Sequence, residues 1–288
     1  MITRFRAYQL GCEGSSFSYG HGANLTLIEA RLTSRSVASV FAELRAFGGA
    51  LQTLHITSWD SDHCAPAELE LILEHLQPAV VELPGYLPHT DCGREALAAV
   101  SRYAQRGVRP VQWSPENIRA LTTASGWDRS NILCWPLQLS LDSNDNSTVK
   151  LFRSGRFTVL SLGDVEDPAI ADHLISLPCI REEVDVMILA HHGADNGFTT
   201  ERFIRAVRPS VAICSSNYDN QYEHPRQDIR DLLYACDVPI FTTKTGDVVI
   251  ESAAPDRFQL TNLIADSSEV SSVRHFYTKR RLAGRMVA

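Results

Sequence analysis

Two carboxylates and one imidazole lie close together in the chain, at Asp60, Asp62 and His63. The apolar residues 54–57 before them predict a strand, and Pro66 after them predicts the start of a helix. Carboxylate oxygens and an imidazole nitrogen are ligands that suit Zn²⁺, Mn²⁺ or Mg²⁺. A solvated surface loop is the alternative interpretation when this cluster is taken alone.

Further polar clusters follow other predicted strands. Asp164, His191, His192 and His224 each stand just beyond an apolar run, and the polar residues 142–147 precede another. Imidazoles in such places bind metals or transfer protons, because histidine titrates near neutral pH. Turn aspartates and solvated loop histidines are the alternatives for each cluster alone. Their repetition at successive strand ends predicts one site that is assembled from loops on a rigid sheet.

The elements that must position these clusters alternate between strand and helix. Apolar runs predict strands at 24–29, 51–56, 79–83, 108–113, 132–139, 148–152, 156–162, 184–190 and 210–214, and a hairpin of 238–243 with 247–251. Amphipathic patterns predict helices from residue 34 to 47, from Pro66, near 93–106, 168–176 and 199–207, and after Pro225. This order is typical of one α/β domain with two sheets covered by helices.

Composition narrows the class of protein. The chain has 288 residues and a net charge of −7, which disfavours a dedicated DNA-binding surface. We find no secretory signal, no apolar run long enough to span a membrane and no CxxC pair, so we expect a cytoplasmic protein without a membrane segment. We expect a single domain at 1–260 and a basic C-terminal extension at 261–288. Basic and aromatic residues from Arg274 to Arg281, with Arg285 beyond, could contact nucleic acid, and a solvated extension is the alternative.

Taken in order, the clusters resemble the metallo-β-lactamase superfamily, and most closely the hydrolase domain attached to the ComEC/Rec2 competence DNA channel. The resemblance covers about residues 24–251 and rests on ordered motifs. These are Ser58-Trp59-Asp60-Ser61-Asp62-His63, Asn144-Asp145-Asn146-Ser147, Leu162-Gly163-Asp164, His191-His192-Gly193, Tyr222-Glu223-His224-Pro225 and the closing stretch from Thr243 to Asp247.

The resemblance implies an αββα sandwich, with two mixed sheets flanked by helices and a metal site at one edge. The metal ligands that it implies are Asp60, Asp62, His63, Asp164, His192 and His224. Asp164 would bridge two ions, and His191 or His192 would be a further ligand or the proton donor. The catalytic residues we expect are Asp62, His191 and His192.

Two departures from the family pattern bear on the number of ions. Ser58 replaces the first histidine of the motif, and Asn144 or Asn146 lies where many members have another histidine. Serine is a poor ligand for Zn²⁺, so one metal position is expected to be weak or empty. We expect one or two divalent ions, Zn²⁺ or Mn²⁺, with Mg²⁺ as a third candidate.

The expected function is that of a metal-dependent hydrolase, a phosphodiesterase or nuclease that acts on DNA or RNA through an activated water. Nucleic acid is then the substrate, and a protein partner in a multi-component system is a further expectation. Two alternatives stay open. The same fold could hydrolyse a small ester or phosphodiester, or it could be a metal-poor binding or regulatory module.

Overall fold

The computed structural model describes residues 1–123 and 131–279, and in this part of the chain the strands form two sheets. The strands of the first sheet are β1 (Thr3–Ala7), β2 (Phe17–His21), β3 (Asn24–Ile28), β4 (Thr53–His55), β5 (Val80–Pro84), β6 (Arg109–Trp113), β13 (Val248–Ala254), β14 (Arg257–Leu263) and β15 (Val270–Tyr277). Their order is β15-β14-β13-β1-β2-β3-β4-β5-β6. Pairing is antiparallel from β15 to β3 and parallel from β3 to β6.

The second sheet has six strands in the described part of the chain. They are β7 (Asn131–Trp135), β8 (Val149–Phe152), β9 (Val159–Ser161), β10 (Val186–Ile188), β11 (Val211–Cys214) and β12 (Ile240–Thr242). Their order is β12-β11-β10-β9-β8-β7, and the four strands from β9 to β12 run parallel.

The helices lie between strands that are successive in the chain. They are α1 (Val37–Ala46), α2 (Pro66–His75), α3 (Asp91–Ala104), α4 (Pro115–Thr123), α5 (Pro168–Ser176), α6 (Pro178–Glu183), α7 (Glu201–Val207) and α8 (Gln227–Ala235). Proline at the first helical position begins several of them, because its missing N–H would have no partner there. Thr90 and Thr200 cap α3 and α7 by accepting hydrogen bonds from backbone N–H groups of the first turn.

The two sheets and the helices on their outer faces form four layers, and three clusters of buried apolar side chains pack these layers together. Between the two sheets lies an aromatic core that includes Phe5, Phe17, Phe152, Phe157 and Phe258, all essentially buried. A second cluster packs the first sheet against α1, α2 and α3, and a third packs the second sheet against α5, α6, α7 and α8. The predicted arrangement of two mixed sheets flanked by helices is confirmed.

The order and direction of the strands bring the polar clusters together at one edge of the sandwich. Strands β3, β4 and β5 are parallel, as are β9, β10 and β11, so the loops after their carboxyl ends gather at the ends of the two sheets. A backbone hydrogen bond of 3.1 Å, from Thr148 N–H to Thr57 O, joins the sheets at this edge. His191 N–H donates to Gly163 O at 2.9 Å, which holds two of the loops together.

The predicted hairpin of 238–243 with 247–251 is wrong. β12 pairs in parallel with β11 in the second sheet, whereas β13 pairs with β1 and β14 in the first. The turn between them therefore crosses from one sheet to the other. Apolar alternation identifies a strand but not its partner, which is chosen by packing distant in sequence.

The C-terminal region contributes to the first sheet as far as residue 277. β14 runs through the predicted boundary at residue 261, and β15 pairs with it along its length. The division into a domain at 1–260 and an extension at 261–288 stays a prediction. Residues 280–288, with Arg280, Arg281 and Arg285, lie outside the described residues. No helix in the described ranges is both long and apolar enough to cross a membrane.

Candidate metal centre

Four side chains from three loops meet where the two sheets end. Asp62 and His63 come from the loop between β4 and α2, Asp164 follows β9, and His192 follows β10. One ligand atom from each of the four lies within 4.8 Å of the others. His63 Nε2 is 2.8 Å from Asp164 Oδ2, and His192 Nε2 is 3.1 Å from Asp62 Oδ2. We call these four residues the ligand group.

Local backbone geometry aims the ligand group. Gly163 has a positive φ of 59°, and a Cβ there would lie 2.7 Å from Ser147 Cβ, so only glycine fits the turn before Asp164. His191 and His192 also have positive φ angles, of 44° and 53°. Such backbone is uncommon outside glycine and is enriched at functional sites.

The carboxylates of the ligand group lie next to its imidazoles, and each changes the pKa of the other. Burial lowers the pKa of His63, but Asp164, Asp62 and Glu29 outweigh it and raise that pKa well above its usual value. Burial raises the pKa of both carboxyl groups, but the charge of His63 outweighs it, so the pKa values of Asp62 and Asp164 fall below their usual range. Two carboxylate oxygens and two imidazole nitrogens are a donor set that fits one divalent cation, which would replace the ring protons.

Each histidine of the ligand group is held through Nδ1, the ring nitrogen that does not face the other ligands. His63 Nδ1 lies 3.1 Å from Glu29 Oε1, and this carboxylate also accepts hydrogen bonds from the hydroxyl and the N–H of Thr57. His192 Nδ1 lies 3.1 Å from the backbone oxygen of Ser215. Because each Nδ1 faces an acceptor, each ring presents Nε2 to the common centre.

His191 stands beside the ligand group, not in it. Its Nδ1 is hydrogen-bonded to Glu166 Oε1, which also accepts a hydrogen bond of 3.1 Å from Asn144 Nδ2. The N–H of Glu166 donates in turn to Asp145 Oδ1 at 2.9 Å. The ring is therefore held in one orientation, with Nε2 as its remaining nitrogen.

Asp60 lies outside the ligand group, although the family resemblance implies that it is a ligand. Its carboxylate accepts a hydrogen bond of 2.7 Å from Ser58 Oγ, and Ser58 also contacts the hydroxyl of Tyr86 at 3.1 Å. Whether Asp60 contacts a metal stays a prediction.

His224 borders the ligand group but is not part of it. Its ring stacks on His192 at 6.2 Å between centroids and on Tyr222 at 5.6 Å. Burial, followed by the charges of His192 and His191, lowers the pKa of His224 to about 4. A neutral imidazole is the form that binds metals, so a role for His224 as a ligand stays a prediction.

An open cavity of about 260 Å³ borders the ligand group. Two members of the group, Asp62 and His192, line it, and His191 and His224 form part of its wall. The remaining lining comes from the loop after β4, the loop after β11 and the segment before β2, and comprises Glu13, Gly14, Ser61, Ser215, Ser216, Asn217, Asn220 and Tyr222. A substrate in the cavity can therefore contact Asp62, His192 and the wall histidines, His191 and His224.

Comparison with known proteins agrees with this architecture. No protein-family profile matches the chain. The metallo hydrolase Igni18 from the archaeon Ignicoccus hospitalis KIN4/I superposes with a TM-score of 0.51 at 12% identity, over 86% of this chain and 98% of that one. The chain has the metallo-β-lactamase fold. The αββα sandwich implied by the sequence resemblance is thus confirmed.

Sequence similarity connects this chain to two longer proteins. ComE operon protein 3 of Bacillus subtilis (strain 168) is 31% identical over 208 residues, which are 69% of this chain and 24% of that protein. Recombination protein 2 of Haemophilus influenzae (strain ATCC 51907 / DSM 11121 / KW20 / Rd) is 28% identical over 204 residues, 67% of this chain and 25% of that protein. The chain spans about a quarter of the length of both relatives, so their similarity supports the predicted resemblance for that part alone.

Proposed function

We propose that this protein is a metal-dependent hydrolase that cleaves phosphodiester bonds of nucleic acid. The observation that carries the proposal is the ligand group, two carboxylates and two imidazoles within 4.8 Å of one another, of which Asp62 and His192 line an open cavity. A divalent ion, Zn²⁺, Mn²⁺ or Mg²⁺, supplies Lewis acidity at such a site, which polarises a phosphoryl oxygen and activates water.

In this proposal a histidine that lines the cavity, His191, supplies the proton for the leaving oxygen. His191 is held through Nδ1 by Glu166, so its Nε2 is the nitrogen available to protonate the leaving oxygen. His192 has both ring nitrogens engaged, Nδ1 by Ser215 O and Nε2 by Asp62. We therefore assign His191 as the proton donor, and His192 and Asp62 as ligands of the metal.

Nucleic acid as substrate is supported by two observations. The relatives include proteins named for competence and recombination. Tyr218 and Tyr222, in the loop after β11, are 75% and 55% exposed, and Tyr222 lines the cavity beside His224. Exposed aromatic rings next to a reaction centre can stack on nucleobases. A cytoplasmic location and a protein partner that delivers the nucleic acid complete the proposal.

The test compares two adjacent histidines. Purified His191→Ala and His192→Ala variants are loaded with Mn²⁺ or Zn²⁺, then assayed for metal content and for cleavage of DNA and of an aryl phosphodiester. We expect His192→Ala to lose metal. His191→Ala should keep its metal and lose about 10²–10⁴-fold in DNA cleavage, with a smaller loss on the aryl ester, whose leaving group needs no proton.

Three results would contradict the proposal in different ways. Full DNA cleavage by His191→Ala removes the proton-donor role. Hydrolysis of the aryl ester without cleavage of DNA or RNA by the wild-type protein favours a small-molecule hydrolase. Metal-free wild-type protein without hydrolysis of either substrate favours a binding or regulatory module.

A further inference from the structure

Hydrogen bonds engage the side chains that would hold a second ion. By the family resemblance, these are Ser58, Asp60 and either Asn144 or Asn146. Ser58 is fully buried, and Asp60 is outside the ligand group. The number of ions therefore depends first on whether Ser58, at the position of the missing histidine, has an electron pair to offer.

Ser58 Oγ has none. A serine hydroxyl has one proton and two lone pairs. The proton goes to Asp60 Oδ2 at 2.7 Å, since a carboxylate only accepts. The lone pairs then accept from the backbone N–H of Asp60 at 3.2 Å and from the hydroxyl of Tyr86 at 3.1 Å. Tyr86 accepts in turn from the N–H of Trp59 at 3.3 Å. We call Ser58, Asp60 and Tyr86 the hydroxyl network.

The side chains of both asparagines make hydrogen bonds to neighbouring loop residues. Asn146 Oδ1 accepts from the N–H of Ser140 at 2.7 Å, and its Nδ2 donates to Ser140 O and Asp142 O at 3.0 and 3.1 Å. Both amide hydrogens and the oxygen are therefore used within the 140–146 loop. Asn144 Nδ2 donates to Glu166, which positions His191.

We propose that each chain binds one divalent ion, at the ligand group, and that the hydroxyl network occupies the position of the second ion. The inference rests on the proposed function and deepens it. A second ion would have to break hydrogen bonds of a saturated serine hydroxyl and of the buried Asn146 amide. One ion needs only the four side chains that already converge.

The closing experiment is a matched pair of substitutions two residues apart, Asp60→Asn and Asp62→Asn. Metal-stripped wild-type protein and both variants are titrated with MnCl₂, and bound Mn²⁺ is counted by elemental analysis and by electron paramagnetic resonance. We expect one equivalent in the wild type, with the spectrum of an isolated ion. Asp60→Asn should keep this equivalent, and Asp62→Asn should lose it. Tyr86→Phe, which removes one donor of the hydroxyl network, should still bind one equivalent.

The outcomes separate the two proposals. Two equivalents with an exchange-coupled spectrum in the wild type would overturn the single-ion proposal and leave the metal-dependent function standing. Loss of the ion from Asp60→Asn would overturn it too, because Asp60 would then be a ligand. No bound Mn²⁺ in the wild type, repeated with ZnCl₂, would overturn the proposed function and the single-ion proposal together.

Discussion

At the scale of single residues, the ligand group depends on carboxylates that do not belong to it. Glu29 is 2% exposed and lies just after β3, with a positive φ of 68°. It accepts two hydrogen bonds from Thr57, and its Oε1 lies 3.1 Å from His63 Nδ1. Such a partner behind a metal ligand orients the ring and raises its basicity.

We predict that Glu29→Gln weakens metal binding by about 10- to 100-fold while the protein stays folded. The amide replaces one acceptor oxygen by a donor. The three groups that face this side chain, the N–H and the hydroxyl of Thr57 and Nδ1 of His63, are themselves donors. Calorimetric titration with Mn²⁺ measures the affinity, and circular dichroism checks the fold. Glu43→Gln is a matched control, because Glu43 is also buried but pairs with Arg4 and Arg6. Equal affinity in wild type and Glu29→Gln would contradict the role.

Residue types and strand ends allowed part of the site to be predicted. Asp62, His63, Asp164 and His192 lie in the loops after their strands, so this placement suggested that they converge. Glu29 and Glu166 were missed, because a side chain that acts through another is recognised only when the contact is known. Glu29 is the last residue of the predicted strand 24–29, and a carboxylate at the end of a predicted strand is the signal that could have found it.

At the scale of elements, buried parallel strands and amphipathic helices were predictable to within a few residues. β3, β5, α2 and α5 agree closely with their patterns. β1 was missed although its residues alternate between buried and half-buried positions. The partner of β12 could not be predicted, because pairing is decided by contacts between segments far apart in sequence.

The loop after β11 is the element that we expect to recognise substrate. We predict that Tyr222→Ala raises KM for a dinucleotide by roughly 5- to 150-fold, since stacking of a base on an aromatic ring contributes about 1–3 kcal/mol. Tyr222→Phe keeps the ring and should keep KM. Steady-state kinetics on a dinucleotide measure the effect, and unchanged metal content shows that the ligand group is intact. An unaltered KM in Tyr222→Ala would rule out stacking at this position.

At the scale of the whole molecule, a buried ion pair on two facing strands links the two sheets. Lys150 on β8 pairs with Glu82 on β5, and His55 Nδ1 lies 2.8 Å from the same carboxylate. Lys150 is 5% exposed. Burial raises the pKa of Glu82, but the charge of Lys150 and the hydrogen bond from His55 outweigh it and lower the pKa to about 2. A buried charge that loses its partner is costly, so this pair should matter for the stability of the sandwich.

We predict that Glu82→Gln lowers the free energy of unfolding by about 3–5 kcal/mol at pH 7, because Lys150 is left buried without a counter-charge. The pKa of Glu82 is lower in the folded protein, near 2, than its usual 4.5, so its stabilisation is present above pH 4.5 and is lost as the pH falls towards 2. The difference between variant and wild type should therefore shrink over that interval. Urea unfolding of metal-stripped protein from pH 7 to pH 3 measures it. The double variant Glu82→Gln with Lys150→Met should recover much of the loss, since no unpaired charge remains. A difference that is absent at pH 7, or that widens in acid, would contradict this account of how the two sheets are joined.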